Sequence, residues 1–119
     1  MKFYPAPRLN KYFAKKQEYG GNRYDSKFEA KVAADLDYQL RAGEIKSVER
    51  QVDFPFVING KRVGRFAYRA DFLVTHNDGS KEIVEAKGLR MPLFNLKWAL
   101  MQALYPELKF KLVTQRGFR

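Results

Sequence analysis

Arg69-Ala70-Asp71-Phe72-Leu73-Val74, His76-Asn77-Asp78-Gly79 and Ile83-Val84-Glu85-Ala86-Lys87 together fix the topology of this chain. The two outer segments are rich in β-branched and aromatic residues, and the middle one in turn formers, so they read as a β-hairpin. Its register is set by the loop. With a three-residue loop, Asn77 to Gly79, His76 faces Ser80 and Asp71 stands directly opposite Glu85, with Cβ atoms ~5 Å apart. A four-residue loop shifts the pairing by one, sets Asp71 against Val84, and sends the two acids to opposite faces.

Charges inside apolar strands need a reason. Two carboxylates facing one another repel unless a divalent cation lies between them, and Mg²⁺ or Mn²⁺ takes such oxygen donors. Lys87 is two residues beyond Glu85 and shares its face of the strand. Taken alone, Lys81, Glu82, Glu85 and Lys87 also fit an ordinary half-solvated strand.

Composition narrows the chemistry. At 119 residues the chain is one domain, able to bury ~65% of its unfolded surface. It has no Cys and a single His, His76, which excludes disulfides, thiolate sites and histidine-rich metal centres. No apolar run approaches the ~20 residues of a membrane span, and no signal-peptide pattern follows Met1. An intracellular, cytoplasmic protein with no membrane partner is therefore expected.

The formal net charge of +10 points to a polyanionic partner. Lys2, Arg8, Lys11, Lys15, Lys16 and Arg23 crowd the first residues against Glu18 alone, and Lys109, Lys111, Arg116 and Arg119 close the chain. Phe3, Tyr4, Tyr12, Phe13, Tyr19 and Tyr24 are interleaved with the N-terminal charges, either to stack on unpaired bases or to anchor that segment to the core.

Residues 1–14, with Pro5 and Pro7, read as a basic, aromatic, extended arm, and 15–119 as the folded domain. A small hairpin is expected around Gly20-Gly21-Asn22. Ser26-Lys27-Phe28-Glu29 has the form of a capping box, and Phe28, Val32, Leu36 and Leu40 follow at helical spacing, predicting a helix over 26–42 that Gly43 stops. Ile45 to Val52 and Phe54 to Ile58 read as extended, with Pro55 at an edge or bulge and Asn59-Gly60 as a hairpin turn. Pro92 opens a second helix with Leu93, Leu96, Leu100, Ala103 and Leu104 on its apolar face, ending before Pro106. Phe110 to Thr114 is the last strand.

In this order the chain resembles the PD-(D/E)XK, or restriction-endonuclease-like, nucleases, and among them the small phage-encoded enzymes related to Holliday junction resolvases. The residues that carry the resemblance are Ser26-Lys27-Phe28-Glu29-Ala30, Arg69-Ala70-Asp71-Phe72 and Val84-Glu85-Ala86-Lys87-Gly88, with thirteen residues between Asp71 and Glu85. Ala70 stands where the family's name has proline.

The resemblance implies an α/β fold, a central mixed sheet flanked by two helices in the order α-β-β-β-α-β. It implies a Mg²⁺-dependent endodeoxyribonuclease, with Mn²⁺ as substitute, leaving 5′-phosphate and 3′-hydroxyl ends in branched or structured DNA during recombination. Asp71, Glu85 and the backbone carbonyl of Ala86 would hold the metal; Lys87 would serve the attacking water or the developing charge. Glu29 would reach the metal or one of its waters, although a capping box also claims its carboxylate. Lys11, Lys15, Lys16, Arg23, Arg90 and Lys97 are the expected phosphate contacts, and Gln51 either approaches the site or forms its rim. Symmetric cutting of a junction would call for a homodimer. The alternatives are a non-catalytic nucleic-acid-binding module and a nicking or transposase-type subunit of a larger complex.

Overall fold

The computed structural model describes residues 17–19, 22–24, 27–88 and 90–114. The expected arm, Lys11, Lys15, Lys16 and the Ser26 cap lie outside them. The order is β1 (Gln17–Tyr19), β2 (Asn22–Tyr24), α1 (Lys27–Arg41), β3 (Ser47–Ile58), β4 (Lys61–Thr75), β5 (Lys81–Lys87), α2 (Pro92–Leu104) and β6 (Lys109–Thr114). β1 and β2 pair antiparallel with Tyr19 opposite Asn22, which is the small hairpin read around Gly20-Gly21.

The remaining strands form one sheet in the order β3-β4-β5-β6. β3, β4 and β5 are an antiparallel meander, and α2 carries the chain over to β6, parallel to β5. This is the mixed α/β sheet with two flanking helices that the sequence predicts.

Each face of the sheet has its own apolar core. Val32, Ala33 and Leu36 of α1 bury against Phe72, Val74, Val84 and Val113. On the other face, Trp98 and Met101 of α2 bury against Val52, Phe54, Phe56, Tyr68, Ala70, Leu73 and Ile83. α1 ends where expected: Gly43 takes φ +78, a left-handed conformation that costs glycine little.

The face of α2 differs from the expected one. Leu93 and Leu96 are each 57% exposed, while Trp98 and Met101 are buried, with Phe94, Leu100 and Leu104 packed partly against them. An apolar residue at nearly every position lets tertiary packing choose the face. Among the described residues no helix is long and apolar enough to cross a membrane.

The meander has two irregularities. At its tip, Asn59 and Gly60 both take positive φ, as a two-residue hairpin turn requires. Below the tip the register changes between Pro55↔Ala67 and Val57↔Arg62, so β4 carries extra residues around Gly64.

The second irregularity lies in mid-sheet. Val48 packs on the α1 face, yet Val52, Phe54 and Phe56 pack on the α2 face, although all are even-numbered. β4 does the same: Tyr68 and Ala70 face α2, Phe72 and Val74 face α1. Alternation has slipped by one in both strands, at Gln51 and at Asp71, which lie opposite each other between the pairs Arg50↔Phe72 and Val52↔Ala70. Gln51 absorbs the slip with φ +54.

Candidate functional site

The hairpin loop has three residues. His76 N–H donates to the Ser80 carbonyl at 2.8 Å, and the pairs Thr75↔Lys81, Val74↔Glu82, Leu73↔Ile83 and Phe72↔Val84 succeed one another from there. One step further, Asp71 and Glu85 come together as the three-residue loop requires. There the β4–β5 ladder stops, while β5 stays paired with β6 as far as Lys87↔Thr114. The sheet opens at the two acids.

Side chains take over from the ladder at that point. Ala86 N–H donates to Asp71 Oδ2 at 2.9 Å, and Asp71 N–H approaches Glu85 Oε1 at 3.4 Å. The N–H and C=O of one strand residue leave from the same edge, so the Ala86 carbonyl faces the Asp71 side as well. The Tyr68 hydroxyl donates to Glu85 Oε1. Lys87 Nζ lies 3.9 Å from Glu85 Oε2 and 4.7 Å from the centre of the Phe94 ring. That ring stacks on Trp98, with centroids 5.5 Å apart, and so fixes a floor under the ammonium.

The electrostatics stem from burial. Glu85 is only 3% exposed, and burial raises its pKa against the pull of Tyr68, Asp71 and Lys87. Asp71 is raised well above the usual carboxylate range by burial first and by the charge of Glu85 second; the Ala86 amide and Lys87 offset this in part. Tyr68 is pushed up by burial and by Glu85, which keeps it a proton donor. Both acids are thus drawn toward protonation, and a cation placed between them would reverse that. The donors are all oxygens, two carboxylates and a carbonyl, a set that fits a hard divalent ion such as Mg²⁺ or Mn²⁺.

Other expected residues fall elsewhere. Glu29, 4% exposed, is buried in the first turn of α1. It does not join Asp71 and Glu85 in a three-ligand group, since among the described residues no three His, Cys, Asp or Glu side chains come together as a metal site. Gln51 is 8% exposed and flanks Asp71 from β3. Arg90 lies 6.0 Å from the Phe94 ring centre and bonds the Asn95 side chain. Lys97 lines a separate cleft with Arg62, Arg65 and Arg69. Arg23 falls in β2. His76, to which the sequence assigns no chemistry, is held by Glu82 at 2.8 Å.

Sequence reasoning misses Tyr68 and the Phe94 floor. Tyr68 has one signal: it is the polar-tipped member of an otherwise apolar face, and such a hydroxyl needs a partner when buried. Phe94 has only its four-residue spacing from Trp98, which reads as core or interface packing more than as base stacking and does not point to Lys87.

These features define a mixed α/β protein with a paired-carboxylate site where the two central strands of its sheet part. By sequence the chain belongs to the family described as a protein of unknown function (DUF1064), whose model matches residues 9–117. No curated protein and no solved structure matches it.

Proposed function

We propose that the protein is a Mg²⁺-dependent endodeoxyribonuclease of the PD-(D/E)XK kind, acting on branched or otherwise distorted DNA. One observation carries the reading: Asp71 and Glu85 meet where the sheet opens, with the Ala86 amide on Asp71 and the Lys87 ammonium 3.9 Å from Glu85. Opposite charges paired across a surface strand are ordinary, but these are like charges held in a buried place, an arrangement that costs stability and serves a ligand. The chain's charge of +10 supports a nucleic-acid substrate.

The roles of the residues derive from their neighbours. Asp71, Glu85 and the Ala86 carbonyl would hold the ion, and binding would displace the proton that burial favours on the pair. A bound Mg²⁺ would supply Lewis acidity at the scissile phosphate and a hydroxide nucleophile near neutral pH. Tyr68 fixes the Glu85 carboxylate, and the Ala86 N–H fixes that of Asp71. Lys87, held over Phe94 and 3.9 Å from Glu85, would bring to the site a point charge suited to phosphate. Glu29 would act through a water at most.

Symmetric cutting of a four-way junction needs two such sites and hence two copies of the chain. Such pairing would have an apolar face to use: Leu93 and Leu96 stand exposed beside a groove of about 270 Å³ that Ile58 and Val63 also line.

The test is incubation of end-labelled four-way junctions, forks, single strands and plain duplexes with the protein in Mg²⁺ or in EDTA. Cleavage of at least one substrate in Mg²⁺ alone is expected, with branched DNA cut fastest. Binding without cleavage of any of them would replace the enzyme by a nucleic-acid-binding module.

A further inference from the structure

A second charged feature lies away from the carboxylate pair. Toward the hairpin tip, Arg62, Arg65 and Arg69 of β4 and Lys97 of α2 line a cleft of about 400 Å³ together with Asp53 and Phe66. Asp53 is the one acid in that lining, and Arg69 Nε already holds its carboxylate at 2.9 Å. Arg62, Arg65 and Lys97 have no ion-pair partner among the described residues.

Charged side chains on a hairpin are usually solvated and independent of one another. Here two elements converge, and the backbone is bent to make them do so. The register change after Pro55 gives β4 extra residues around Gly64 at φ +53, and such a bulge re-aims the side chains beside it. Arg65 and Phe66 come directly after that glycine. Phe66 and Lys97 line the cleft beside the guanidinium groups, which are suited to paired hydrogen bonds with phosphate oxygens.

The spacing to the carboxylate pair is that of a substrate. Arg69 is two residues from Asp71 along β4, and Arg62 at the far end pairs with Val57, six residues along β3 from the Gln51 that faces Asp71, so at ~3.3 Å per residue the cations extend roughly 20 Å from the site. Duplex DNA advances ~3.4 Å per phosphate on each strand, so this length matches about six base pairs.

We propose that this cleft is a second, non-catalytic site for the phosphodiester backbone of DNA, gripping the substrate out to about six base pairs from the bond that is cut. The identity of the ligand rests on the nuclease reading; the site itself does not. Arg62 and Arg65 take phosphate oxygens at the far end, Lys97 those facing α2, and Arg69 exchanges Asp53 for phosphate as the strand is engaged.

The experiment is fluorescence anisotropy of a labelled duplex in EDTA over a series of salt concentrations, comparing wild type with Arg62→Ala/Arg65→Ala and with Arg62→Glu/Arg65→Glu. Circular dichroism confirms that each variant is folded. The alanine pair is expected to weaken binding about 10-fold or more at low salt. It should also reduce the slope of log K against log salt by about 2, since each phosphate that a cation no longer neutralises removes about 0.9. The glutamate pair should weaken binding further. Affinity and slope equal to wild type in both variants would overturn the proposal. Because EDTA prevents metal-dependent cleavage, the readings separate: a wild type that cuts nothing in Mg²⁺ removes the nuclease reading and leaves the cleft, while variants that bind like wild type remove the cleft and leave the nuclease.

Discussion

Replacing Asp71 with asparagine in metal-free protein isolates the repulsion at the heart of the site. Asparagine keeps a side-chain oxygen for the Ala86 N–H that now bonds Asp71 at 2.9 Å, and its amide can donate to Glu85 where a carboxylate cannot. Two ionised carboxylates ~4 Å apart would repel by about 4 kcal/mol at an effective dielectric constant near 20. Burial and mutual repulsion draw the pair toward protonation, which relieves part of this, so about 1–3 kcal/mol is the expected gain. For a chain of this length that is roughly 5–10 °C in melting temperature. The pH dependence has a fixed sign. Both acids titrate above their ordinary values, so the native state binds more protons than the unfolded chain from about pH 4 upward to the raised values, and its stability falls as pH rises through that window. Asp71→Asn removes one of the two groups; its advantage should be small near pH 4 and widen as pH rises through the raised values. Calorimetric melts in EDTA across that range measure it. A variant less stable than wild type at high pH, or a difference that does not change with pH, would refute the opposed carboxylates.

Tyr68→Phe leaves the 3%-exposed Glu85 without its hydroxyl donor, so it should cost about 1–3 kcal/mol in a melt and move metal binding to higher pH, since that bond lowers the Glu85 pKa. Lys87→Met removes the cation that lowers both carboxyls; the pH midpoint for metal binding should rise, and single-turnover cleavage should slow by about 10²-fold or more. Gln51 holds φ +54, where a β-branched side chain is strained, so Gln51→Val should destabilise by about 1–2 kcal/mol and Gln51→Gly should not; equal melts for the two would show that the slip in β3 does not depend on that conformation.

The pairing of Asp71 with Glu85 is legible in the sequence because it hangs on a local rule. Asn77-Asp78-Gly79 makes a three-residue loop, and every pair after Ser80 is counted from it. The slip at Gln51 and Asp71 is not legible. Val48, Val52, Phe54 and Phe56 form an even-numbered series interrupted only by Arg50, and an arginine at that place reads as a solvated position and does not say that the series changes face midway. The slip depends on tertiary packing, in which α1 and α2 claim opposite faces at opposite ends of the meander. Helix α2 illustrates the same limit: with Leu93, Phe94, Leu96, Trp98, Leu100 and Met101 all apolar, periodicity cannot choose a face, and the bulkiest ring is drawn inward. Glu29 falls in the first turn of its helix, as the capping pattern predicts, but its distance from the acid pair is set by how α1 docks, which no local pattern encodes.

If Asp71 and Glu85 form a divalent-cation site, calorimetric titration of Mn²⁺ into wild-type, Asp71→Asn and Glu85→Gln protein will reveal it without reference to any nucleic acid. Wild type should bind one ion per chain, releasing protons from the raised carboxyls as it does so, and either variant should bind little or none. Wild-type protein that binds no Mn²⁺, or variants that bind it as tightly as wild type, would contradict the assignment.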